Sequence, residues 1–313
     1  MNLTILSGSA NRPLAEAIAQ KLDVRLGQTV VQRFPDGELH VEIQESVRGR
    51  DVYVIQPTSP PADAHLMELF LLADACRRAG AAHLTAVIPY CGYARQDRRA
   101  RGRESIAARL VADLLRTSGV QRVVAVDLHT SAVEGFFAVP VEHLSAVSLL
   151  ADAAKTWLSP HAIIVAPDFG AVKLAERYAN VLHLPLAIVH KTRISGAEVR
   201  VQSVVGDVRG RVPLVVDDMI STGGTIEAAI RAVLASGCSS DGITVIASHG
   251  LFVGPAGERL QTVPVQRVSV TDSVAAPAGL PFALQVVSLA PLLAETLSRL
   301  HTNTSLSDLL VHE

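Results

Sequence analysis

The sequence predicts an α/β protein of two similar halves, each a largely parallel sheet flanked by helices. Apolar β-branched runs alternate with helix-period stretches along most of the 313 residues, the pattern of strands joined by crossover helices. Several strand runs are continuously apolar, as strands covered on both faces are. The length is that of two cores, and 49% apolar with 19% charged residues is a globular composition.

Taken in order, residues 3–6, 29–33, 39–43, 52–55, 84–88 and 123–126 read as strands. Residues 64–78 and 105–116 carry helix-period apolar positions between them. The pattern then resumes with a helix over 145–157, a strand at 162–166 and a helix over 172–178. Strands follow at 186–189, 199–205 and 214–216, a helix at 225–235, and strands at 243–247 and 284–287. The natural division is residues 1–145 and 146–301, with 302–313 as a polar tail expected to fray. The two halves share no clear sequence repeat, so their likeness is architectural.

A formal net charge of −2 gives no whole-molecule attraction for nucleic acid or an anionic membrane, so neither is expected as a partner. The N-terminus lacks a basic region ahead of a long apolar run, and no stretch reaches the ~18 apolar residues of a membrane span. Cys76, Cys91 and Cys238 are too few and too scattered for a disulfide framework or a zinc site. Inert thiols and a reducing cytoplasm are the expectation.

The most informative segment is Leu214-Val215-Val216-Asp217-Asp218-Met219-Ile220-Ser221-Thr222-Gly223-Gly224-Thr225, followed by an amphipathic helix. An apolar strand ends in two carboxylates and passes through a hydroxyl- and glycine-rich loop into a helix. Glycines let backbone N–H groups approach an anion, and the helix N-terminus adds partial positive charge. Ser221, Thr222 and Thr225 add hydroxyl donors. Asp217 and Asp218 are acceptors suited to the vicinal hydroxyls of a ribose whose phosphate lies in the loop. A generic Ser-Thr-Gly-Gly turn would be an ordinary capped helix start; the full string closely resembles the phosphoribosyl-diphosphate loop of the type I phosphoribosyltransferase-like fold.

Five further segments follow apolar runs or join them. Arg33-Phe34-Pro35-Asp36-Gly37-Glu38-Leu39 is by itself an ordinary turn between two strands. Pro89-Tyr90-Cys91-Gly92-Tyr93-Ala94-Arg95-Gln96-Asp97-Arg98-Arg99, with Arg101 and Arg103, puts five arginines in nine positions, a cation field suited to bidentate phosphate contacts. Asp127-Leu128-His129-Thr130 and Pro167-Asp168-Phe169-Gly170-Ala171 place polar groups after strands, as does His190-Lys191-Thr192-Arg193. Neither Gly-x-x-x-x-Gly-Lys nor Gly-x-Gly-x-x-Gly occurs, so any ATP site uses other loops.

Together these strings resemble the ribose-phosphate pyrophosphokinase (phosphoribosyl-diphosphate synthetase) family, over residues 3–299. The resemblance implies two type I phosphoribosyltransferase-like domains, ATP-binding loops in the first and ribose 5-phosphate and pyrophosphate loops in the second. It implies ATP contacts from Phe34, Asp36, Gly37, Glu38, Arg95, Gln96 and His129, with Phe34 stacking on the base. His129 and Asp168 would help hold Mg²⁺, and Lys191 and Arg193 would be the catalytic cations. Ribose 5-phosphate would meet Arg193, Asp217, Asp218, Ser221, Thr222, Gly223, Gly224 and Thr225. The loop around Phe34 would reach a neighbouring subunit's ATP site, implying a homo-oligomer.

Ala171 stands where the family commonly has Gly, Ser221 where its best-known bacterial members have Asp, and Thr192 where they are often basic. The phosphate loop alone would equally suit a nucleobase phosphoribosyltransferase, but not the strings around Phe34 and Arg95. A non-catalytic subunit with the same fold is opposed by retention of His129, Asp168, Lys191 and Arg193.

Overall fold

Five runs of the first half line up as one all-parallel sheet, in the order β1, β4, β5, β6, β7. In the computed structural model these are β1 (Leu3–Ser7), β4 (Asp51–Ile55), β5 (His83–Ile88), β6 (Arg122–Val126) and β7 (Val141–Leu144). Residues 3–193 and 199–311 are described, with only the backbone for 191–193 and 199–202. Helices α1 (Arg12–Lys21), α2 (Ala62–Arg78) and α3 (Ala107–Ser118) join the strands. Strands β2 (Thr29–Arg33) and β3 (Leu39–Ile43) leave the main sheet as a separate antiparallel hairpin.

Local chemistry accounts for these elements. In α1, the Asn11 side chain accepts the Leu14 N–H at 3.3 Å and Pro13 occupies the first turn, where its missing N–H costs nothing. Helix α2 buries Leu66, Leu69, Leu72, Ala73 and Cys76, one stripe at helical spacing. Gly119, at φ 109°, ends α3 in the left-handed conformation that glycine adopts without strain. Cys76 is buried and Cys91 and Cys238 half-buried; burial pushes their thiols up to about 12, 12 and 11, so they are unreactive.

The second half forms a seven-stranded sheet ordered β10, β9, β8, β11, β12, β13, β14, parallel throughout except for the β9–β10 pair. Its chain order is α4 (Val147–Ala154), β8 (Ala162–Ala166), α5 (Val172–Leu182), β9 (Leu186–Arg193), β10 (Val199–Val205) and β11 (Val212–Ile220). There follow α6 (Gly224–Ala235), β12 (Ile243–Gly250), α7 (Ala256–Gln261), β13 (Val265–Thr271) and β14 (Leu284–Val287). Every residue of β8 and β12 is buried, as their unbroken apolar runs demand. From β8 the chain winds outward through β9 and β10, then returns beside β8 as β11 and winds the other way. The β8–β11 boundary is therefore a topological switch point, where open α/β sheets bind ligands beyond the strands' carboxyl ends.

The structure departs from the sequence reading in three ways. Strand β11 continues through Asp217 and Asp218 to Ile220, because Met219 and Ile220 keep pairing with His249 and Gly250 of β12. Elements α1, α7, β7 and β13 and the last helix, α8 (Ala290–Thr302), were not anticipated. Nor does the segment after α8 behave as a fraying tail. Leu306 is buried, Leu310 bridges Leu144 of β7, and the Val311 N–H donates to the His143 carbonyl at 2.8 Å.

Residues Met1–Ser145 thus form one compact unit with Ser273–Ala275 and Ser288–Glu313, and Ala146–Asp272 with Ala276–Val287 form the other. In the first unit α8 packs on α1. Asp51, opening β4, receives His83 Nδ1 at 2.6 Å and His301 Nδ1 of α8 at 2.7 Å. No helix among the described residues is long and apolar enough to cross a membrane.

Burial pushes the Asp51 carboxyl up, but hydrogen bonds from His83 and His301, and then their charges, outweigh it and hold the group below its ordinary value. Its contribution to stability is therefore present above the ordinary carboxylate range and lost as pH falls through its depressed value. Asp51→Ala should lower the Tm at pH 6, and thermal scans at falling pH should show the gap to the parent chain closing below about pH 4.

Candidate active site

In the second unit the carboxyl ends of β8 and β11 bring three acidic residues together. Asp168 follows β8 and caps the turn Phe169–Ala171, its Oδ1 accepting the Gly170 N–H at 3.0 Å. Ala171 has φ −87°, an ordinary value, so its methyl group needs no strained backbone. Asp217 and Asp218 lie within the last part of the adjacent strand β11, and Asp217 Oδ1 accepts the Asp218 N–H at 2.9 Å. Burial, then the charge of Asp218, its hydrogen bond and the charge of Asp168 push the Asp217 carboxyl well above its ordinary value.

The phosphate loop turns immediately beyond. Gly223 sits at φ +75° as the residue that opens α6, a left-handed conformation that a Cβ would strain. Gly223 has no side chain with which to cap the helix, and a helix start is where backbone N–H groups and the helix dipole favour an anion. The Ser221 carbonyl accepts the Val253 N–H at 3.0 Å, which anchors the loop to the segment after β12. Arg259 of α7 donates through Nη1 to the Thr222 carbonyl at 3.3 Å and to Thr222 Oγ1 at 3.2 Å. Sequence reading missed this cation, because it lies 37 residues away on a short helix with no motif of its own.

Lys191 and Arg193 end β9, and Arg193 and Thr192 pair through the backbone with Val199 and Arg200 of β10. Their side chains, and residues 194–198, lie outside the described residues.

In the first unit the structure joins two of the sequence-read loops. The Thr130 hydroxyl lies 3.3 Å from Asp97 Oδ2, tying the loop of His129 to the arginine-rich loop. Arg95, Gln96 and His129 are all exposed there. Gly92 is required by space, since a Cβ would come within 2.4 Å of the Thr58 carbonyl while its N–H donates to Thr58 Oγ1 at 2.6 Å. Separately, the tip of the β2–β3 hairpin presents Phe34, 46% exposed, with Asp36, Gly37 and Glu38 exposed around it. The turn is held by the Phe34 N–H to the Glu38 carbonyl at 2.9 Å and by Arg33 to the Gly37 carbonyl at 2.7 Å. An aromatic ring displayed on a rigid hairpin suits contact with a planar group outside the unit.

Among the described residues no group of three or more His, Cys, Asp or Glu is close enough to hold a metal by itself. The donor chemistry nevertheless fits Mg²⁺, which takes one or two carboxylates and completes its shell with water and substrate phosphates. Asp168 offers such a carboxylate, and the repulsion felt by Asp217 marks a region of excess negative charge.

Asp217→Asn keeps an Oδ1 acceptor for the Asp218 N–H while removing the charge. A carboxyl with a raised value in the folded state stabilises below its ordinary pKa and loses that contribution as pH rises through the raised value. In metal-free buffer the variant should therefore gain Tm over the parent as pH rises above about 4, the ordinary carboxylate value, measured by thermal scans.

The comparisons with known proteins agree with this geometry. The N-terminal domain of ribose phosphate pyrophosphokinase matches residues 3–119, and the phosphoribosyl transferase domain matches residues 146–280. A ribose-phosphate pyrophosphokinase of Nostoc sp. is 44% identical over 309 residues, covering 98% of this chain and 93% of its own. That of Listeria ivanovii is 42% identical over 309 residues, covering 98% and 96%. The crystal structure of phosphoribosylpyrophosphate synthetase from Mycobacterium smegmatis superposes with a TM-score of 0.90 at 40% identity, over 97% of this chain and 100% of that one. With two such α/β units and relatives matched along almost their full length, the chain belongs to the ribose-phosphate pyrophosphokinase family.

Proposed function

We propose that the chain transfers the β,γ-pyrophosphoryl group of ATP to the C1 hydroxyl of ribose 5-phosphate, giving 5-phosphoribosyl 1-diphosphate and AMP for nucleotide biosynthesis. The observation that carries this reading is the carboxylate pair Asp217–Asp218 leading into the glycine loop at the switch point of the second sheet. The loop amides of 221–225 and the start of α6 receive the 5-phosphate, with Ser221, Thr222 and Thr225 hydroxyls around it. Asp217 and Asp218 then meet the sugar's vicinal hydroxyls. The carboxyl oxygens suit this because each can accept a hydrogen bond from a hydroxyl of the diol.

In the reaction, the C1 oxygen forms a bond to the β-phosphorus as the bond to the oxygen of AMP breaks, and the hydroxyl proton is released. Such transfers depend on alignment and on countering charge. Arg95 and Gln96 bind the ATP phosphates, and His129 and Asp168 are the residues that would hold Mg²⁺. Bound there, Mg²⁺ would supply positive charge to offset that of the phosphates. Lys191 and Arg193 counter the charge that develops on the migrating group, Arg193 also touching the sugar phosphate. Phe34, Asp36, Gly37 and Glu38 receive the adenine; their exposure on a hairpin tip supports a homo-oligomer in which the ATP site is shared between subunits. The place of action is the cytoplasm.

Purified protein with ATP and Mg²⁺ should release AMP only when ribose 5-phosphate is added, with no nucleobase present. AMP formation that requires a nucleobase, or none at all, overturns the reading. Lys191→Ala should lower kcat by roughly 100-fold or more with the protein still folded, since a charge that acts in the transition state is lost; near-normal turnover would remove Lys191 from its role.

A further inference from the structure

The loop that carries His129 is clipped at two points to one buried imidazole. His143, its side chain only 7% exposed, stands on β7, which pairs with β6. Its Nε2 lies 2.9 Å from the backbone nitrogen of Leu128, the residue before His129. Its Nδ1 lies 2.5 Å from Oε1 of Glu134, in the turn Ser131–Phe136 that follows His129. A backbone N–H can only donate, so Nε2 is the bare nitrogen and Nδ1 carries the hydrogen, which it donates to Glu134. Glu134 thus fixes the tautomer that the Leu128 contact requires.

The surrounding backbone needs such a clamp. Asp127 sits at φ +38°, a region that a non-glycine residue occupies only when its surroundings enforce it. Its N–H donates to the Leu144 carbonyl at 2.9 Å, and the Ser145 hydroxyl donates to its Oδ1 at 3.0 Å. Behind β7, the Val311 N–H holds the His143 carbonyl at 2.8 Å. The backbone around the exposed His129 is set by buried neighbours.

Resting on the reading of His129 as an ATP contact, we propose that His143 and Glu134 are positioning residues of the nucleotide site, clamping both ends of the 128–134 loop so that His129 meets the bound nucleotide without rearrangement. Neither residue touches substrate.

The test is steady-state kinetics on His143→Leu, His143→Gln and Glu134→Leu in the full chain, alone and with His129→Ala. Leucine leaves the Leu128 N–H without an acceptor; glutamine returns a carbonyl oxygen near the position of Nε2. His143→Leu should raise the KM for Mg-ATP roughly tenfold, about 1.4 kcal/mol, and leave that for ribose 5-phosphate within about twofold, the scale of one orphaned N–H. His143→Gln should recover most of the loss, and Glu134→Leu should shift the same parameter in the same direction. In the His129→Ala background His143→Leu should add no further change.

The proposal falls if folded His143→Leu shifts neither KM or both together, if glutamine is no better than leucine, or if the effect persists without His129. If His143→Leu does not fold, Glu134→Leu carries the same comparison. Should the parent chain release no AMP, the proposed activity fails on its own, and the clamp is then judged by the same pattern in Mg-ATP affinities from calorimetry.

Discussion

Packing β8 directly against β11 is the constraint from which the second unit's chemistry follows. Because the two strands are parallel neighbours paired up to Val165 and Val215, the residues that follow β8 come beside the part of β11 that runs on past that pairing to Ile220. Asp168, Asp217 and Asp218 are placed there by backbone register, and burial first, then the charges of Asp218 and Asp168, lifts Asp217. Burying like charges opposes folding. The fully buried apolar strands around them, β8 and β12 above all, supply the opposing stability. The carboxylates collect negative charge on one side, and the glycine turn one step further on opens a helix start, so acceptor and anion-favouring groups stand next to each other along the chain.

The first unit solves a different problem, that of presenting exposed polar side chains in fixed directions. Arg95, Gln96 and His129 stand in solvent, so packing of their own side chains does little to place them. Their loops are secured instead by neighbours: Gly92 pressed against the Thr58 carbonyl, Thr130 joined to Asp97, and Leu128 held through its N–H. Preorganisation of this kind sits in the backbone, and it is what a reaction governed by alignment demands.

Much of this was legible in the sequence because it is written locally. Unbroken apolar runs gave the central strands, and the Asp-Asp to Gly-Gly-Thr string gave the glycine turn with the helix it opens. The two-sheet architecture followed from the alternation. What escaped reading is non-local or short. Strand β7 has four residues, two of them polar, and Val265–Thr271 alternates apolar with polar residues, so neither resembles the buried runs beside it. Arg259 and His143 act on residues 37 and 15 positions away. The extension of β11 through two aspartates comes from pairing with β12, which no local propensity for Asp would suggest. The contact between Asp51 and His301 spans 250 residues and belongs wholly to tertiary structure.

Because α8 and the residues after it return to the first unit, that unit is discontinuous along the chain, with the whole second sheet interposed. During synthesis, α1 has its strand partner β1 early but must wait for α8. At typical elongation rates of 5–20 residues per second, the wait lasts on the order of ten seconds. Throughout it the nascent first unit carries an uncovered apolar helix face and an open edge on β7, so the order of birth leaves the amino-terminal half dependent on chaperones or on its own slow closure, while the second unit, nearly continuous in sequence, is free to finish first.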